Sequence, residues 1–143
     1  MEKIPDATLH VYGKPDIGHT FTDSLDLPSV TVFGSVSHDK IISGLLAADI
    51  WYYPNYNVLE PYCITALEAM ACGCLCISVP LGNLKYLLDS GRGILINDDK
   101  MGLDLMDQID CVEFEEIRKK GTEWAKTQTW DGVGQQWVQL LKE

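Results

Sequence analysis

At 143 residues the chain has the size of one domain, and 21 acidic against 11 basic residues give a formal charge of −10, which argues against nucleic acid as a partner. No apolar run approaches the roughly 20 residues that span a bilayer, and the opening Met1-Glu2-Lys3-Ile4-Pro5 lacks the apolar stretch of a signal peptide, so a cytoplasmic location is expected. Cysteines at 63, 72, 74, 76 and 111 are odd in number, which argues for free thiols rather than a disulfide framework.

Short apolar runs alternate with helical patterns. A first strand is expected at Thr8–Tyr12, ended by Gly13, and polar Lys14–Pro28 reads as a mobile loop. Strand Val30–Phe33 and helix His38–Ala48 follow, then strand Asp49–Tyr53 and helix Tyr62–Cys72. Strand Cys74–Val79, a short helix Leu84–Leu88 and strand Gly93–Ile96 complete the alternation. After Asp98 the pattern is helical only, over Met101–Ile109, Val112–Thr127 and Trp130–Leu141. The order predicts a single α/β domain over 1–143: a Rossmann-like parallel sheet with helices on both faces and extra C-terminal helices.

The run Cys72-Gly73-Cys74-Leu75-Cys76 invites a metal reading, but it has no second pair at zinc spacing and no histidine nearby. Buried strand cysteines are the simpler account. Trp51, Tyr52 and Tyr53 read as strand core rather than as a platform for stacking a sugar. On the last helix Val133, Trp137, Leu140 and Leu141 share a face, which is free to pack in the core, fold onto the sheet or drive dimerisation.

Ligands of parallel sheets gather at the carboxyl ends of strands. Gly13, Gly34-Ser35-Val36-Ser37, Pro54–Glu60 and Pro80-Leu81-Gly82-Asn83 would share that edge, and the glycines let backbone approach a ligand closely. Glu60 and Glu68 bracket the start of the helix expected from Tyr62. With Pro61 suited to its first turn, Glu60 stands at the helix mouth and Glu68 about 12 Å further along at 1.5 Å per residue. A diphosphate at that mouth would meet unsatisfied N–H groups and the positive end of the dipole, with a carboxylate on each side for hydroxyls. Acidic residues near helix starts also stabilise helices without any ligand, so the spacing alone leaves both readings open.

The surrounding residues carry a resemblance. Asp6-Ala7-Thr8-Leu9-His10-Val11-Tyr12-Gly13, Val32-Phe33-Gly34-Ser35-Val36-Ser37, Leu46-Ala47-Ala48-Asp49-Ile50-Trp51-Tyr52-Tyr53-Pro54 and, most specific, Glu60-Pro61-Tyr62-Cys63-Ile64-Thr65-Ala66-Leu67-Glu68-Ala69-Met70-Ala71-Cys72-Gly73 are similar to the C-terminal, donor-binding half of retaining GT-B glycosyltransferases. The resemblance covers nearly the whole chain. It implies transfer of a hexose from a UDP- or GDP-sugar to an acceptor, with retention and without a metal cofactor. Glu60 would act on the transferred sugar as the catalytic carboxylate, and Glu68 would meet the ribose hydroxyls. Backbone of Tyr62, Cys63 and Ile64 would cradle sugar and phosphate, and Val36 and Ser37, after Gly34, would meet the base, with Gly13 on the same edge.

Departures accompany the match. Cys63 stands where relatives often have glycine, and Lys85 lies close to a position where many carry glutamate. The family's donor half also begins with another strand and a loop whose arginine and lysine grip the diphosphate, and the residues here start after both. The acceptor domain, too, is expected to lie outside these residues. The resemblance therefore implies a fragment of a longer polypeptide, a short protein that works with a separate N-terminal acceptor domain or a second copy, or a non-catalytic nucleotide-sugar module. A flavodoxin-like or receiver-like scaffold fits poorly, because the first strand ends Val11-Tyr12-Gly13 without acidic residues.

Overall fold

In the computed structural model residues 7–13, 29–57, 59–97, 105 and 112–142 are described. The loop expected at Lys14–Pro28 and most of the helix expected at Met101–Ile109 lie outside them.

Among the described residues every strand pairing is parallel. β1 (Leu9–Tyr12) pairs with β2 (Val30–Gly34), and β4 (Leu75–Ser78) lies between β3 (Ile50–Tyr53) and β5 (Ile94–Leu95). Among the described residues the sheet is thus in two parts, β1-β2 and β3-β4-β5. Helices α1 (His38–Leu46), α2 (Ile64–Ala71) and α3 (Leu84–Leu87) connect the strands, and α4 (Val112–Thr127) and α5 (Trp130–Leu140) close the chain.

The strand period of two explains the layers. Leu75, Ile77 and Val79 point to one face of β4, into a cluster with Ile96 and Phe114. Cys74 and Cys76 point to the other, among Leu45, Ala66, Ala69, Met70, Leu84, Leu87 and Leu88. A strand buried on both faces needs helices on both faces. The cysteine-rich run is accordingly core: Cys74 and Cys76 are free thiols, each 1% exposed. Trp51 and Tyr53 pack against one cluster and Tyr52 against the other, in keeping with the strand-core reading. Full burial of a Met70- or Ile77-sized side chain contributes about 1.5–3 kcal/mol, and such residues line both sides of β4.

α2 lies flat on the sheet because Ala66 and Ala69, both fully buried, let its backbone approach. Its end is a Schellman motif: Gly73 at φ +93° donates to the Met70 carbonyl at 3.0 Å and Cys74 to that of Ala69 at 3.0 Å. α4 serves both layers, with Phe114 and Ile117 in one and Trp124 and Ala125 in the other. It fits beside the turn before β5 through Gly121, where a Cβ would lie 2.5 Å from the Arg92 carbonyl oxygen. Arg92 fastens the same corner: its Nε donates to the Leu87 carbonyl at 2.9 Å, a terminal nitrogen to that of Tyr86, and its guanidinium covers the Trp124 ring at 4.4 Å.

Of the three outcomes left open for the apolar face of α5, core packing, folding onto the sheet and dimerisation, the first two are not seen among the described residues. The helix has no buried residue, and Trp130, Val133, Trp137, Leu140 and Leu141 are all exposed. Its start is fixed locally, Gly132 N–H donating to the Thr129 hydroxyl at 3.1 Å.

Candidate functional site

The carboxyl ends of the strands meet in pairs. Gly13 N–H donates to the Gly34 carbonyl at 2.9 Å, and both glycines have positive φ, +118° and +65°. The chain then passes half-buried Val36 to Ser37, which is exposed and occupies the N-cap of α1. The Ser37 hydroxyl makes no capping bond, while its carbonyl accepts from the Lys40 and Ile41 amides at 3.1 and 3.2 Å.

The second pair joins the loops after β3 and β4. Gly82, at φ +58°, lies so close to Glu60 that a Cβ would sit 2.6 Å from the Glu60 carbonyl oxygen and 2.8 Å from its nitrogen. Asn83 N–H donates to the same carbonyl at 2.9 Å. These contacts hold Glu60 in the loop and correct the expected helix start. α2 begins at Ile64, with Cys63 as N-cap at φ −78°, ψ 88°, so Pro61 lies ahead of the helix and the helical rise does not set the Glu60–Glu68 separation. Glu60 belongs to the approach to α2 rather than its first turn.

The mouth of α2 suits an anion. Its first turn carries no acidic residue, and the group that reaches its Thr65 and Ala66 amides is the weakly accepting sulfur of Cys63. Tyr62 and Ile64 are exposed on either side of Cys63, which is 3% exposed. The thiol where relatives often have glycine is thus turned into the core, its Sγ 3.3 Å from Thr65 Oγ1. Burial pushes its pKa up, the Thr65 hydroxyl and the Ala66 and Thr65 amides pull it down, and the Glu60 charge raises it further.

Tyr53, the last residue of β3, belongs to this group although its place in an aromatic strand marks it only as core. Asn55 Nδ2 donates to its hydroxyl at 3.2 Å. Its pKa is raised by burial first, then by the charge of Glu60 and by Cys63, which puts Glu60 within electrostatic reach of the phenol. On the side of the sheet that carries Val79 and Ile96, these two with Tyr56, Pro80, Leu81 and Asn97 line a cleft of about 190 Å³ at the ends of β4 and β5.

Glu68 has a partner that spacing does not reveal. Its Oε1 lies 2.7 Å from Nε2 of His38, the first residue of α1, and its side chain is 23% exposed against 65% for the histidine. The pair joins the start of α1 to the second turn of α2. One turn on, the Cys72 pKa is raised by burial and then by the Glu68 charge. Lys85, near the position where relatives carry glutamate, lies with Nζ 4.6 Å from the Tyr86 ring centroid. Among the described residues no group of three or more His, Cys, Asp or Glu is placed to hold a metal ion, and no helix is long and apolar enough to cross a membrane.

Parallel strands between helices, with loops converging on a helix mouth, define the C-terminal half of a GT-B glycosyltransferase fold. HepE from Anabaena, solved in complex with UDP-glucose, shares this fold at a TM-score of 0.81, with 18% identity over 97% of this chain and 42% of its own. Sucrose-phosphate synthase from Thermosynechococcus elongatus matches at a TM-score of 0.68, with 27% identity over 80% of this chain and 30% of its own. A phosphatidylinositol N-acetylglucosaminyltransferase polypeptide from Arabidopsis thaliana, one of the subunits of that enzyme, is 31% identical over 70 residues, 49% of this chain and 15% of that protein. The chain belongs to the glycosyl transferases group 1 family, whose model matches residues 1–123. It spans less than half the length of each of these relatives.

Proposed function

We propose that this chain is the donor-binding part of a retaining glycosyltransferase that moves a hexose from a nucleoside diphosphate sugar to an acceptor held by another domain. The observation that carries the reading is the mouth of α2, whose first turn carries no acidic residue, with Glu60 ahead of it and Glu68 in its second turn. In this reading the amides of Ile64 and its neighbours receive the diphosphate, with Gly13 and Gly34 giving room beside it. Val36 and Ser37 meet the base, Glu68 the ribose, and Glu60, with the backbone of Tyr62 and Cys63, the sugar.

A retaining transfer passes through a transition state with positive charge on the sugar ring. A carboxylate fixed beside that ring stabilises it electrostatically without reorganising, and the Gly82 and Asn83 contacts fix the backbone of Glu60. The leaving diphosphate is stabilised by the dipole and amides of α2, so the reading requires no divalent ion. The divided sheet and the bare face of α5 support a site completed by an additional strand and an acceptor domain, in the same polypeptide or in a separate partner protein. Binding without transfer is the expected behaviour of residues 1–143 alone.

Calorimetric titration with UDP-glucose, GDP-mannose, ADP-glucose and their nucleoside diphosphates tests this, with the ligand of HepE as the first choice. Saturable binding of one nucleotide class, weakened by Glu68→Ala by about 1–3 kcal/mol, is expected. Folded protein that binds none of them refutes the reading.

A further inference from the structure

We propose that His38 is a positioning residue that fixes the Glu68 carboxylate for a vicinal diol and thereby makes the site selective for ribonucleotides over 2′-deoxyribonucleotides. This rests on the donor-site reading above.

An ionised carboxylate only accepts hydrogen bonds, so Nε2 carries the proton in the 2.7 Å contact and donates to Oε1. A glutamate on a helix surface otherwise moves among several rotamers and loses that freedom when it binds a ligand. His38 removes it beforehand, because its own backbone is set by the first turn of α1. With Oε1 engaged, Oε2 and the second lone pair of Oε1 still accept, which suits two adjacent hydroxyl donors. His38 also follows directly on Val36 and Ser37. The imidazole thus fixes the carboxylate relative to the loop assigned to the base, and so aligns the two recognition elements of one nucleoside.

The test compares UDP, GDP and ADP with dUDP, dGDP and dADP by calorimetry on the wild-type chain, His38→Ala and His38→Gln. The 2′-hydroxyl is expected to improve wild-type affinity for the preferred base by about tenfold, the equivalent of one hydrogen bond to a charged group. His38→Ala should reduce that ratio to about twofold or less, and His38→Gln, which retains a nitrogen donor, should restore most of it. Because the histidine is largely exposed, the thermal midpoint should be unchanged in both variants. Equal wild-type affinity for ribo and deoxy forms, or undiminished selectivity in His38→Ala, overturns the role of His38 while leaving the donor site standing. Absence of binding by every nucleotide to folded wild-type protein overturns both.

Discussion

Replacing Gly82 by alanine isolates the contact that shapes the site. At φ +58° an L-residue pays about 1–2 kcal/mol for the left-handed conformation. The new Cβ would also meet the Glu60 carbonyl oxygen at 2.6 Å and nitrogen at 2.8 Å. Both are backbone atoms, so relief requires moving a chain segment by close to 1 Å to regain contacts of about 3.5 Å. That shift breaks the 2.9 Å bond from Asn83 N–H to Glu60, a further loss of about 0.5–1.5 kcal/mol. The sum is about 1.5–3.5 kcal/mol, a large share of the 5–15 kcal/mol typical of a domain. Gly34→Ala is the internal control: its φ is +65°, but nothing lies within 4 Å of the added Cβ, so only the conformational cost of about 1–2 kcal/mol applies. Urea unfolding of the two variants measures the difference directly. Gly82→Ala should also weaken a bound nucleotide sugar more than its diphosphate, because Glu60 moves. A Gly82→Ala variant as stable as Gly34→Ala would refute the reasoning.

Glu60→Ala should lower affinity for the nucleotide sugar while leaving that for the nucleoside diphosphate within about twofold, and equal losses in calorimetry would remove Glu60 from the sugar. The core thiols give a pH test. Burial raises the Cys74 pKa from 9.0 to about 11 and also pushes that of Cys76 well up, so the folded state holds both protonated where an unfolded chain would ionise them. Stability from this source is present below about pH 9 and declines as pH rises towards 11, visible as a falling urea midpoint. At pH 8 a thiol reagent should modify partly exposed Cys72 in the native protein and reach Cys74 and Cys76 only on unfolding; rapid native labelling of either would contradict their burial.

Where local chemistry decides, the sequence is sufficient. The alternation through Leu75, Ile77 and Val79 locates a strand buried on both faces, and Gly73 marks the helix end that forms a Schellman motif. α4 spans Val112–Thr127 as its pattern predicts. The start of α2 is not legible because Pro61 is locally suited to a first turn, whereas Gly82 and Asn83, more than twenty positions later, hold Glu60 outside the helix. The His38–Glu68 pair spans 30 positions and leaves no periodic trace. Tyr53 is legible only as an aromatic strand residue, since its nearness to Glu60 depends on the path of the intervening loop. The apolar stripe of α5 is visible in its spacing, but spacing does not say whether a face is covered.

The charge around the α2 mouth leads to a last prediction. Ahead of α4, the described basic residues are Lys40, Lys85 and Arg92, each beside an aromatic ring: Lys40 Nζ 5.4 Å from that of Phe33, Lys85 Nζ 4.6 Å from that of Tyr86, and Arg92 over Trp124. Among the described residues, the proposed grip on a diphosphate thus consists of backbone amides and a helix dipole equivalent to about half a charge, contributing about 0.3–1 kcal/mol at an exposed site. Against this stands a chain of net charge −10, whose field repels the same ligand. Salt screens that long-range repulsion, with a Debye length falling from about 30 Å at 0.01 M to about 10 Å at 0.1 M, while leaving the short amide contacts nearly intact. Affinity of the isolated chain for UDP-glucose should therefore hold steady or rise modestly between those salt concentrations. A diphosphate clasped by lysine or arginine would show the opposite trend. A fall of tenfold or more would mean that a basic side chain reaches the phosphates, and that the α2 amides are not the principal anchor.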